Sequence, residues 1–160
     1  MNREPASLMA NLKHLPDDAH WAVKYVKTMD DGRAFVEALH AGQAVAVSDG
    51  SLKEGLGNAV FTLVGTSSEP CVYGVNKVQG PIKEGDSYRT ELASIYSAVL
   101  TTDIIAKQHN VHHGTATMAC DNKAALHIFE LDFIPNPSQE SYDILQAIWT
   151  LLQTTPICWT

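Results

Sequence analysis

Three carboxylates fall where chemistry could gather them. Asp49 closes the run Ala44-Val45-Ala46-Val47-Ser48, Asp121 closes Thr115-Ala116-Thr117-Met118-Ala119-Cys120, and Glu91 lies in the first turn of a helical stretch opening at Ser87. If the two runs are adjacent parallel strands, both aspartates emerge at the carboxyl end of the sheet. A helix packed across that sheet brings Glu91 to the same place. Three acids held together repel, and each would rather protonate than stay charged. A divalent cation removes that conflict, and an all-oxygen donor set favours Mg²⁺ or Mn²⁺ over zinc. Each acid also has a plain structural reading: Asp49 as a turn residue, Glu91 as a partner of the helix dipole, Asp121 as a helix cap.

The elements that must position them follow from pattern. The strand 44–49 is rich in small and β-branched residues. A glycine-studded turn over 50–57 leads to strands at 58–64 and 71–78, which with the first read as an antiparallel meander. A loop with Gly80, Pro81 and Gly85 precedes Ser87, the expected N-cap. Leu92, Ile95, Tyr96 and Val99 then mark one face of a helix running to about Gln108. The next strand, 115–120, should lie parallel to the first because a helix crosses over between them. Asn122–Glu130 reads as a helix. Asn136-Pro137 reads as the start of another, buried through Tyr142, Leu145, Trp149 and Leu152 and ended at Thr155-Pro156. Ile157–Thr160 is a fifth strand, cut short. The expected fold is an α/β mixed sheet of order βββ-α-β-α-α-β.

Residues 1–42 form a connecting segment ahead of the domain at 43–160. Asn11–Asp18 reads as a loop, the alternation of Trp21, Val23 and Tyr25 as a short extended piece, and Asp30 or Asp31 as the cap of a helix with Phe35, Val36 and Leu39 on one face, ended by Gly42.

Composition narrows the function classes. At 160 residues and 45% apolar content the chain can build one domain core without staples. A net charge of −7 argues against tight, unaided gripping of nucleic-acid phosphates. Cys71, Cys120 and Cys158 are too scattered for a zinc site and read as free thiols with no disulfide partner. The sequence has no signal-peptide pattern and no long apolar run, so an intracellular setting away from membranes is expected, with cytoplasm and nucleus undistinguished. His112-His113 read as a solvated pair, and His127 as a surface or half-buried residue.

The segments Val47-Ser48-Asp49-Gly50-Ser51, Ser87-Tyr88-Arg89-Thr90-Glu91-Leu92-Ala93 and Met118-Ala119-Cys120-Asp121-Asn122, in that order and spacing, resemble the type 1 ribonuclease H domain. The form they resemble closes the reverse transcriptases of retroelements. Gly55 and Gly57 sit where that family has a glycine-rich turn. The resemblance spans about 43–160. It implies a ribonuclease H-like fold and an endonuclease that hydrolyses the RNA strand of RNA–DNA hybrids with two Mg²⁺ ions, for which Mn²⁺ can substitute. Asp49 would bridge both ions, Glu91 and Asp121 would each hold one, and Ser51, Ser87 and Asn122 would contact the hybrid. It also implies fusion to a reverse transcriptase in a retroelement polyprotein.

One departure stands against this. The family carries a fourth carboxylate on a helix after the fifth strand, behind a His-bearing loop, and no residue here matches either. Asp143 lies in the helix before that strand and should not replace it. The expectation is therefore a C-terminally truncated domain, weak or inactive as it stands and marginally stable. Two other readings compete: a catalytically inactive ribonuclease H-like fragment serving as a structural or tethering module, and a 3′–5′ exonuclease or integrase-like strand-transfer domain on a related sheet.

Overall fold

The computed structural model describes residues 7–53, 56–67, 69–79 and 87–160. Gly55 and the expected loop from Gly80 to Gly85 lie outside them. The strands are β1 (Val26–Thr28), β2 (Ala44–Ser48), β3 (Ser51–Lys53), β4 (Leu56–Val64), β5 (Pro70–Lys77), β6 (Gly114–Cys120) and β7 (Ile157–Trp159). The helices are α1 (Leu8–Lys13), α2 (Asp17–His20), α3 (Arg33–Ala41), α4 (Tyr88–Gln108), α5 (Lys123–Leu126) and α6 (Tyr142–Thr154).

One mixed sheet runs β1-β5-β4-β2-β6-β7, with β3 paired to the start of β4. The meander is antiparallel, β6 lies parallel to β2, and β7 lies parallel to β6. This is the α/β order expected of a ribonuclease H-like sheet, with β1 added at one edge and β3 within the expected turn. Thr160 continues the last ladder, its N–H donating to the Ala116 carbonyl at 3.0 Å and its carbonyl accepting from Met118 at 3.0 Å.

The strands of the meander alternate buried and half-buried or exposed positions, because successive side chains point to opposite faces. Ala46, Ala59, Phe61, Leu63 and Val72 line the core face. Gly74 sits opposite Phe61, and a Cβ on it would come within 2.3 Å of the Phe61 ring. The missing side chain is the space the ring occupies.

The central helix departs from expectation. A single apolar face was expected on α4, yet every residue from Arg89 to Ala106 is buried. The sheet lies on one side, and α1, the Trp21–Val23 turn and α6 pack elsewhere around it. Burial brings polar groups inside, and the helix satisfies several locally: the Ser94 hydroxyl donates to the Thr90 carbonyl at 2.9 Å and Thr102 to Ala98 at 2.8 Å. Asp103, 4% exposed, pairs with Lys107 one turn on at 3.0 Å.

Other boundaries also move. Asn11–Lys13 belong to α1 and Asp17–Asp18 open α2, where a loop was expected. The extended piece is β1, and Trp21–Val23 form a tight helical turn instead. α3 and its left-handed Gly42, φ +70°, stand as expected, but Gly32 and not Asp30 or Asp31 takes the N-cap position, and the Asp30 carboxylate accepts from the Ala34 N–H at 2.8 Å. The helix at Asn122 shortens to α5 and a 3₁₀ turn over His127–Phe129. No helix starts at Asn136: its side-chain oxygen accepts from the Ser138 N–H and hydroxyl, closing a turn, and α6 begins at Tyr142 after Ser141 at φ +57°. The buried stripe of α6 is Ile144, Leu145 and Ile148, with Tyr142, Trp149 and Leu152 half-buried beside it. The segment expected as a connector places Leu8, Leu12, Phe35 and Leu39 in the same core as the sheet.

α4 and α6 are clamped by charge. Arg89, 7% exposed, makes two hydrogen bonds of 2.8 Å to Asp143, and this pairing holds the Asp143 carboxyl below the usual carboxylate range. A depressed carboxylate stabilises the fold above its unfolded-state pKa and ceases to as pH falls through the folded one. Asp143 is largely exposed, so solvent limits the pair to about 1 kcal/mol. Asp143→Asn should lower stability by about that much at pH 7. The gap from wild type should close in denaturant melts below the usual carboxylate range. Separately, Gly74→Ala should cost about 1–3 kcal/mol by overpacking, with partial recovery in Gly74→Ala/Phe61→Leu. Equal stability of Gly74→Ala and wild type in urea melts would refute the packing account.

Candidate active site

The site is built at the carboxyl end of β2 and β6. Their parallel register pairs Ser48 with Cys120, so Asp49 and Asp121 are the next residues out on neighbouring strands. Glu91 arrives from the first turn of α4, where it is 9% exposed. One contact sets this convergence. A Cβ on Gly50 would lie 2.5 Å from the Thr90 carbonyl carbon and 2.7 Å from the Glu91 nitrogen. Only glycine lets the strand end rest directly on the helix backbone.

The Glu91 carboxylate accepts from the Gly50 N–H at 3.3 Å and, through the same oxygen, from the Cys120 thiol at 3.6 Å. Burial pushes its pKa up; the two hydrogen bonds pull against that, and the negative charges of Asp49 and Asp121 add to the rise. All three acids therefore share one electrostatic site. The Cys120 thiol is also pushed up, first by burial and then by the charge of Glu91, which keeps it a donor. Reading the sequence did not assign a role to Cys120 or to the Gly50 amide. The strand-end position of Cys120 beside Asp121 was the available signal.

The remaining candidates are placed less uniformly. Ser51 begins β3, opposite Asn58, and is exposed. Ser87 occupies the N-cap position of α4, but its side chain makes no capping bond; its carbonyl accepts from the Glu91 N–H at 3.0 Å and from the Thr90 hydroxyl at 2.7 Å. Asn122 caps α5, its side-chain oxygen accepting from Ala125 at 3.0 Å. Asp143 is engaged by Arg89 and is not part of the cluster.

The donor chemistry fits a hard divalent ion: three carboxylates, no competing imidazole, and like charges that a cation would relieve. The arrangement is not yet a coordination sphere. Among the described residues no three His, Cys, Asp or Glu side chains converge closely enough to hold an ion, and Glu91 is turned onto Gly50 and Cys120. Among the same residues no helix is long and apolar enough to cross a membrane, and all three cysteines are free.

The fold and site together describe a mixed α/β sheet with an acidic cluster at its carboxyl edge. No family model matches the sequence, and no curated protein does. Among solved structures, the chain is similar to a ribonuclease H1 isolated from compost by a metagenomic approach, with 8% identity, a TM-score of 0.47, and coverage of 74% of this chain and 83% of that one.

Gly50→Ala should force the β2 end away from α4. The expected result is a destabilisation of about 1–3 kcal/mol. Hydrogen exchange at the 50 and 91 amides should accelerate more than at β5 amides. Unchanged exchange at both positions would rule out the close-approach account.

Proposed function

We propose that the chain is a ribonuclease H-type domain that hydrolyses the RNA strand of RNA–DNA hybrids at Asp49, Glu91 and Asp121. The observation that supports the reading is the register that sets Asp49 and Asp121 at neighbouring strand ends, with Glu91 held against Gly50 and Cys120 at the same edge. Three acids at one sheet edge suit phosphodiester chemistry that requires concentrated positive charge. These three residues would hold the metal, Mg²⁺ with Mn²⁺ as substitute. Two such ions, when bound, supply an activated water and stabilise the leaving oxygen.

The chain's own residues do the rest. Gly50 and the β2–β6 register fix the spacing of the two aspartates. Glu91 would exchange its Gly50 and Cys120 hydrogen bonds for a ligand; until then those two groups hold it at the site. Ser51, Ser87 and Asn122 lie within four residues of the acids in the chain, where they could meet the 2′-hydroxyls that mark the RNA strand in the minor groove. The side-chain oxygen of Asn122 is committed to its cap, so its amide nitrogen is the group available for that contact. The placement of this domain in a retroelement polyprotein, fused to a reverse transcriptase inside the cell, is supported by the three sequence motifs alone.

The test is a cleavage assay on a labelled RNA–DNA hybrid, with Mg²⁺ and then Mn²⁺. With only three carboxylates matched, wild type should cut the RNA strand alone and weakly, and Asp49→Asn should cut at least a hundredfold more slowly still, on the order of 3 kcal/mol of lost transition-state stabilisation. A folded wild type that cuts with neither ion would sink the nuclease reading for this chain and favour a tethering module.

A further inference from the structure

The acidic site leaves one question about an acidic protein: what holds a polyanion near it. A net charge of −7 repels a nucleic acid at long range, but screening confines that effect to about 8 Å at physiological salt. Local charge then decides. One cleft brings two lysines and two aromatic rings together. It has a volume of about 490 Å³ and is lined by Trp21, Lys24, Tyr25, Lys77, Val78 and Gln79.

Three features suit it to a strand. Tyr25 is 61% exposed, with the Lys24 ammonium 5.4 Å from its ring centroid, so one residue pair offers a stacking surface and a phosphate partner together. Lys24, Lys27 and Lys77 are exposed and have no ion-pair partner among the described residues. Lys27, Tyr73 and Lys77 share the outward face of β1 and β5 with Tyr25, because Lys27 pairs with Tyr73 and side chains alternate along each strand.

The platform is also fixed in place. The Tyr25 N–H donates to the buried Asn76 side chain at 2.7 Å, and its carbonyl accepts from Val75 at 3.1 Å. The Gln79 carbonyl accepts from Arg89 at 2.7 and 3.2 Å. Arg89 precedes Glu91 by two residues on the same helix, so the cleft wall and the acidic site are tied to one rigid turn.

Strand directions put the cleft at the catalytic end of the sheet. β4 runs opposite to β2, β5 runs opposite to β4, and so Lys77 lies at the same end as Asp49. β1 starts there as well, being antiparallel to β5. Three inter-strand spacings separate β1 from β2, about 14 Å. At about 3.4 Å per nucleotide along one strand, that is roughly four nucleotides.

We propose that this cleft binds an unpaired nucleic-acid strand continuing from the hybrid about four nucleotides from the cut, with a base on Tyr25 and phosphates at Lys24 and Lys77. The position of the cut rests on the nuclease reading above. An unpaired strand is the occupant because a base must leave its duplex stack to lie on an exposed ring.

The experiment uses full-length Asp49→Asn protein, so that no substrate is consumed, and fluorescence anisotropy with a fluorescein-labelled hybrid, blunt or carrying a six-nucleotide single-stranded extension. The extended hybrid should bind about tenfold more tightly than the blunt one. Tyr25→Ala should remove most of that difference and Tyr25→Phe should keep it. Lys24→Ala/Lys77→Ala should remove it too and lower the salt slope by about 1.4, two phosphate contacts on a single strand. Lys13→Ala, a surface lysine on α1, should change nothing. Equal binding of blunt and extended hybrids, or variants indistinguishable from wild type while folded by circular dichroism, would overturn the inference. The two readings fail separately. Extension-dependent binding without cleavage by the wild type keeps the cleft and removes the nuclease; cleavage with no extension effect does the reverse.

Discussion

The direct contact between Gly50 and the Thr90–Glu91 backbone is the constraint on which the candidate site depends. A strand end and a helix turn rarely approach so closely, because a side chain usually stands between them. Here a Cβ would lie 2.5 Å from the Thr90 carbonyl carbon, so the glycine is a steric requirement. With the gap closed, the Gly50 N–H reaches the Glu91 carboxylate, and the next residue back along the strand is Asp49. The parallel register of β2 and β6 then supplies Asp121 without further adjustment.

The rest of the fold holds that helix where the contact needs it. α4 is enclosed by the sheet, α1, the Trp21–Val23 turn and α6, and a helix enclosed on all sides cannot slide or roll. The enclosure has an electrostatic cost, since it buries Arg89, Glu91 and Asp103. Arg89 and Asp103 are paired with Asp143 and Lys107. Glu91 has no cationic partner among the described residues, only a backbone amide and a thiol, and its raised pKa records that imbalance. A buried carboxylate left without a cation, in the field of two more acids, is a local electrostatic conflict.

Arg89 connects this imbalance to the far edge of the sheet. Its guanidinium spans from Asp143 on α6 to the Gln79 carbonyl at the end of β5. One side chain thus fixes the helix pair, the wall of the basic cleft and the turn that carries Glu91. A chain with few cations concentrates their effect in this way: Arg89 is buried as a structural tie, and Lys24, Lys27 and Lys77 stand at the β1–β5 edge without an ion-pair partner among the described residues.

Much of this was legible in the sequence, and the reason differs by element. Strands β2, β4, β5 and β6 were readable because alternation and β-branched residues are local signals, and the order β-α-β fixed the parallel pairing through the handedness of crossovers. The three acids were readable because each adjoins such a signal. The extents of α4's burial, α5 and α6 were not, since apolar periodicity reports one buried face and is silent when neighbours cover the others. β1 was misplaced by a few residues because three residues carry too little pattern. By itself the sequence determined the antiparallel meander, the parallel pairing of β6 with β2, and which carboxylates stand at the ends of those two strands. The tertiary structure alone decided that Gly50 touches the helix backbone, that Cys120 and Gly50 hold Glu91, and that Arg89 reaches Asp143 and Gln79. Those contacts join residues up to 54 positions apart, and chain-local preferences carry no information about such distances.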